Sequence, residues 1–336
     1  MLDPEVRILT EHEYDLWDQM VERSAQGTVY HLSTWITTTA KIFHLDYRII
    51  GIFNKSEIIG GCFFYITDIF HVFKKGTTDV PFTKYGGFVF SYPKSSKLRT
   101  CETREHEIIS LILEKIQTYD LVSVHLIHSP GLTDIRPFTS KGWRARVYYT
   151  YVKSLDEDIF WGLSYGARRC IRRAHTCGIT IKKEYNPDIY WKLMKLTFDN
   201  QHLKIPFQKE HFFNIIEMLL KNNLGEMWIA HMPSGEAASA VFTIYDTHMA
   251  HGFSAANDPG FRHTGAVSLL LFEMWKDLQD RGFHRYNIMA GNTPRLAKFY
   301  TGFNPRLVPY YSVERSKGIG FLYELYQLVK EYRNQS

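Results

Sequence analysis

Apolar residues recur at helical spacing in two long segments roughly 160 residues apart. The first carries Ile108, Ile109, Ile112, Leu113 and Ile116, and the second Leu269, Leu270, Phe272, Met274, Trp275 and Leu278. Each pattern predicts a helix with one face turned to a core. A short β-rich run follows each helix, at 121–127 and at 285–290, and each run leads on to a glycine-aromatic pattern. Phe138, Gly142 and Trp143 in the first half answer Phe299, Gly302 and Phe303 in the second. Upstream, alternating apolar residues predict a hairpin in each half: 46–54 with 57–66 around Lys55 and Ser56, and 226–232 with 237–245 around Pro233 to Gly235. The repeated order of strands, helix, strand, helix, strand predicts a duplication into two mixed α/β halves with local parallel pairing.

These patterns set an N-terminal domain at 1–153, a basic connecting helix within 154–181 and a C-terminal domain at 182–336. Two further helices are expected after Pro187, at 188–199 and 208–221. A chain of 336 residues is long enough for two cores. The charge of +5 arises from 40 basic and 35 acidic residues spread along the chain, which favours anionic ligands without a nucleic-acid-binding tail. The acidic start and the lack of a long apolar run argue against a targeting peptide or a transmembrane helix, so a cytoplasmic location is expected. Cys62, Cys101, Cys170 and Cys177 lack metal-ligand spacing, and no metal is expected.

Candidate chemistry gathers in the second half. Arg262, His263, Thr264, Gly265, Ala266 and Val267 stand between a β-rich run, 249–256, and the second amphipathic helix. Free N–H groups and the helix dipole at such a turn favour phosphate, although a glycine before a helix also serves as a plain turn residue. The run from Asn292 through Tyr300 to Gly302 and Phe303 resembles the GNAT pattern in which Asn begins a helix and Tyr lies later on it, and the resemblance implies that the tyrosine hydroxyl protonates the leaving thiolate, a step suited to a phenol that is protonated at neutral pH. His251 in the 249–256 run is a candidate base for an attacking amine or hydroxyl. Arg168 and Arg172 share a face four residues apart and can hold phosphate or carboxylate; a charge run of this kind is more often a solvated face.

The phosphate-type turn resembles the GNAT pattern R-x-x-G-x-G/A, with Val267 at the final small position. The stretches QGTVYHLSTWI, from Gln26, and VPFTKYGGFVF, from Val80, together with the arginine-rich helix and the terminal LAKFYTGF, resemble the FemABX and BioF2-type acyltransferases over most of 14–313. That resemblance implies two tandem GNAT-like domains, each a mixed sheet flanked by helices, and transfer of an acyl group to an amine or hydroxyl. It implies acyl-CoA as co-substrate, with aminoacyl-tRNA as the alternative donor, and a small-molecule, glycan or peptide acceptor near Tyr85 and Gly86. Tyr300 stands where FemABX-like proteins commonly have Lys, and Asn287 where Asp commonly follows Tyr; the tyrosine in place of lysine leans toward a thioester donor. The other class left open is a non-catalytic glycan- or peptide-binding protein.

Overall fold

A computed structural model describes residues 4–69, 72–91, 97–318 and 320. In chain order its strands and α-helices are β1 (Pro4–Ile8), α1 (Tyr14–Arg23), α2 (Ser33–Phe43), β2 (Asp46–Asn54), β3 (Glu57–Ile69), β4 (Phe73–Thr77), β5 (Gly87–Phe90), α3 (Leu98–Gln117), β6 (Ser123–Ile127), α4 (Arg136–Thr139) and β7 (Arg144–Ser154). There follow α5 (Tyr165–Thr176), β8 (Thr180–Lys183), α6 (Pro187–Asp199), α7 (Lys209–Lys221), β9 (Gly225–His231), β10 (Ala237–Tyr245), β11 (Ala250–Asn257), α8 (Ala266–Asp280), β12 (Arg285–Asn287), α9 (Pro294–Tyr300) and β13 (Arg306–Ser316).

The chain forms two compact units, one of Met1–Tyr148 with Tyr310–Ser336 and the other of Tyr149–Pro309. In the first unit the strand order is β1-β2-β3-β4-β6-β13, with β5 also on β3. In the second it is β8-β9-β10-β11-β12-β7. The two orders match position by position: an antiparallel run of four, a parallel pair reached through a helical crossover (β4 with β6 across α3, β11 with β12 across α8), and a closing antiparallel strand. The expected mixed α/β duplication is therefore the architecture. The boundaries at 153 and 181 do not coincide with the units, because the chain crosses from one unit to the other within β7 and again within β13. The arginine-rich helix α5 is part of the second unit, packed on α8.

Each half folds for legible local reasons. Ser164 caps α5 by accepting from the Ala167 N–H, and Asn186 caps α6 ahead of Pro187 at its first position. Ile108, Ile109, Ile112, Leu113 and Ile116 on α3 are buried with Val124 and Leu126 of β6, the alternate residues of that strand. Leu269, Leu270, Met274, Trp275 and Leu278 on α8 fill the second unit's core with Tyr286 and Phe303. Full burial of each such side chain contributes on the order of 1.5–3 kcal/mol. Helices α1 and α2, which no periodicity singled out, bury Trp17 and Trp35 on the first unit; Trp17 Nε1 donates to the His31 carbonyl at 2.7 Å.

A candidate acyl-transfer cleft in the second unit

Strands β11 and β12 pair at only two positions, Ala250 with Tyr286 and His251 with Asn287. Beyond them β11 continues to Asn257, while β12 ends and the chain turns away through Met289, which holds φ +61°. A left-handed conformation at a non-glycine residue costs energy, so the turn must be held by its surroundings. Asn287 does much of the holding. Its buried side-chain oxygen accepts from Thr150 Oγ1 at 2.6 Å and from the Met289 N–H at 3.2 Å. The result is a wedge whose one side is the main-chain edge of β11 from Gly252 onward.

At the apex of the wedge a Cβ on Gly252 would stand 3.0 Å from the Tyr286 hydroxyl and 3.4 Å from the Ile288 carbonyl oxygen. Tyr286 in turn shares a hydrogen bond of 3.2 Å with Thr243 Oγ1. Burial raises the Tyr286 phenol well above its usual range, and the neighbouring Tyr300 adds to the rise. Tyr300, at the C-terminal end of α9, packs against Phe299 and Phe303, and burial pushes its own phenol up to about 12. Such a group stays protonated and is a donor rather than a base. The exposed Asn292 side chain accepts from the Tyr149 N–H at 2.8 Å, which ties the turn before α9 to β7.

His251 is 1% exposed, and its Nε2 lies 2.8 Å from Asp246 Oδ2. Burial disfavours the Asp246 carboxylate, but His251 and the His248 and Met249 N–H groups outweigh it and keep the acid ionised. The pair braces the β10–β11 turn, which removes His251 from reach of an acceptor. Thr264 and Ala266 are also buried, and α5 covers the N-terminus of α8 so closely that a Cβ on Gly265 would lie 2.2 Å from the Cys170 carbonyl oxygen. The Cβ side of Gly265 is thus closed by α5, while Gly265 itself is half-buried, and Val267 is half-buried against the same core. Cations gather outside instead. Arg173 donates to the His263 carbonyl at 2.7 Å, and Arg262 reaches Asn200 Oδ1 at 3.0 Å from an exposed position. Arg168 and Arg172 lie on another side of α5, stacked over Trp161 and Phe160.

The first unit has a cavity of about 540 Å³ lined in part by Asp79, Lys84, His125, Tyr148 and Tyr310. The Tyr148 and Tyr310 rings stack at 5.4 Å, and Phe82 in the bounding loop holds φ +67°. Burial and the Lys75 charge favour neutral His125, whose Nδ1 is 4.0 Å from Asp79. Tyr85 and Gly86 are buried behind this cavity: Tyr85 packs edge-on against Tyr310, and Gly86 leaves no room for a Cβ beside Thr78. Elsewhere in the unit, Glu102, His106 and Asp134 come close enough to share a cation. The Arg136 guanidinium already bonds both carboxylates and holds Asp134 well below the usual carboxylate range. Among the described residues no helix is long and apolar enough to cross a membrane.

Residues 162–295 match the family model of the acetyltransferase (GNAT) domain. No curated protein sequence matches the chain. Among solved structures, a FemX crystal structure superposes with a TM-score of 0.74 at 13% identity, covering 97% of this chain and 99% of that one. A conserved protein of unknown function from Bacteroides thetaiotaomicron gives 0.62 at 11% identity, covering 94% and 100%. A tandem GNAT protein from the clavulanic acid biosynthesis pathway gives 0.57 at 10% identity, covering 94% and 99%. At these identities the likeness is one of fold.

Proposed function

We propose, from a GNAT acetyltransferase domain at residues 162–295 and a FemX-like tandem fold along the chain, that this protein is an acyltransferase working at the β11–β12 wedge. The supporting observation is the early parting of the two strands, with Gly252 against the Tyr286 hydroxyl at its apex and Tyr300 near enough to raise the Tyr286 phenol further. The open edge of β11 offers N–H and C=O groups to an extended amide-bearing donor, as an added strand would be held. An acceptor amine or hydroxyl attacks the donor carbonyl carbon, the C–S bond of an acyl-CoA-type thioester breaks, and the Tyr300 hydroxyl gives its proton to the leaving sulfur. The proton released by the acceptor leaves through solvent and restores the phenol. Arg262, with Arg173 beside it, takes the donor's phosphates at the turn before α8.

A second donor has its own observation. Arg169, Arg173 and Arg262 are exposed, and such a group of surface cations also suits the larger polyanion aminoacyl-tRNA. Thiol release from acetyl-CoA and longer acyl-CoAs, measured over a panel of amines and alcohols and paired with calorimetry of CoA, separates the two. Thiol release that depends on an acceptor supports the thioester reading. No CoA binding and no release, with acyl transfer from aminoacyl-tRNA, replaces it with the second; failure of every donor removes the enzyme reading.

A further inference from the structure

Acyl transfer at the wedge makes no use of a stripe of aromatic and basic side chains along α5 and the turn before it. Trp161 and Tyr165 are 65% and 69% exposed, among the most exposed large side chains described. The Arg168 guanidinium lies 5.2 Å over the Trp161 ring and donates to the Trp161 carbonyl at 3.1 Å. Arg172, one turn on, lies 5.5 Å over Phe160, and Phe160 meets Phe272, over which the Lys276 ammonium stands at 5.6 Å. Positions 165, 168 and 172 share one face of α5, and Arg168 holds Trp161, in the turn before the helix, beside that face. Helix α5 carries four arginines and a histidine without an acidic residue. Of the acids in the preceding turn, Asp158 accepts from the Trp161 N–H at 3.0 Å and Asp156 bonds His284, while Glu157 is exposed.

An indole and a phenol one turn apart, backed by guanidinium groups, match the layered chemistry of a lipid headgroup region. The rings are apolar bodies with polar edges, and the cations meet phosphate. Single-stranded RNA offers phosphate too. Its bases would stack on exposed ring faces, but the Trp161 ring already carries the Arg168 guanidinium at 5.2 Å and the Phe160 ring the Arg172 guanidinium at 5.5 Å, so aromatic faces beside the cations are taken. We infer that this stripe docks the protein on an anionic phospholipid surface, with Trp161 and Tyr165 entering the headgroup layer and Arg168 and Arg172 meeting lipid phosphates. The contact is peripheral and salt-sensitive.

Co-sedimentation of the full chain with phosphatidylcholine vesicles, with and without about one-third phosphatidylglycerol, tests it. Binding about tenfold or more stronger to the anionic vesicles is expected, weakened by salt and lost in Trp161→Ser/Tyr165→Ser and in Arg168→Glu/Arg172→Glu. A second readout needs no loss of surface character: anionic vesicles should shift tryptophan emission to the blue, and Trp161→Phe should abolish the shift. Equal binding to both vesicle types, unchanged binding in the double variants, or a blue shift that survives Trp161→Phe overturns the proposal. So does a single-stranded RNA oligonucleotide that competes the vesicles away while binding through the same four residues.

Discussion

Gly265 and Cys170 meet backbone to backbone: a Cβ at position 265 would lie 2.2 Å from the Cys170 carbonyl oxygen. Gly265 also holds φ +86°, the left-handed region that glycine enters freely. Its role in this chain is thus the close crossing of α5 over the start of α8, with Ala266, Leu269 and Leu270 packed beneath.

Gly265→Ala should therefore cost more than its backbone conformation alone. Gly282 provides the comparison, since it holds φ +88° with nothing within 4 Å of an added Cβ. Gly282→Ala is expected to lose about 1–2 kcal/mol of stability from the left-handed conformation. Gly265→Ala should lose a further 1–3 kcal/mol or so from forced movement of α5. Urea unfolding of both variants checks the difference; equal losses would mean that α5 yields without cost.

Tyr300→Phe removes the proposed proton donor and little else, because the ring contacts with Phe299 and Phe303 remain. Turnover should fall by roughly 10²–10⁴ with the melting temperature nearly unchanged. Since the phenol is pushed up to about 12, its loss of a proton should not shape the rate profile at physiological pH. An alkaline fall in turnover near pH 8 that disappears in Tyr300→Phe would contradict this assignment.

Lys153 on β7 is 2% exposed, and burial lowers its pKa against the attraction of Glu157. The unfolded lysine, with a pKa near 10.4, holds its proton more tightly than the folded one, so stability rises with pH across the window just below that value. At neutral pH the burial penalty is fully present. Lys153→Met should stabilise the protein there by about 1–3 kcal/mol, with the gain shrinking as pH approaches 10. Thermal melts at pH 7 and pH 10 read the difference directly.

His128 is fully buried, and neither ring nitrogen has a hydrogen-bond partner among the described residues. Burial, followed by the charges of His31 and His125, lowers its pKa to about 3. Its neutral form is stable above the unfolded value near 6.5, and that stability is lost as pH falls from there toward 3. His128→Leu should remove this part of the acid sensitivity. Between pH 6.5 and 4 the wild type is expected to lose up to about 1.4 kcal/mol per pH unit more than the variant. Parallel slopes in urea midpoints across that range would assign the acid sensitivity to other groups.

The chain's periodicities alone determined the duplication. Helical spacing on α3 and α8 and alternation in the hairpins β2–β3 and β9–β10 are local consequences of which faces must be buried, so they can be read one residue at a time. Tyr300 was also legible, because the glycine-aromatic pattern after β12 places it on α9. Gly252 left a weaker trace, an isolated glycine within a strand, which marks a close approach without saying of what. Only the tertiary structure decided that the approach is to the Tyr286 hydroxyl, that Asn287 holds the parting of β11 and β12, and that His251 is spent on Asp246. The same holds for Gly265, whose Cβ side is closed by α5, and for β7 and β13, whose later residues belong to the unit opposite the half that precedes them. Which partner covers a turn, or which sheet receives a strand, depends on contacts between residues far apart in the chain, and those leave no period in the sequence.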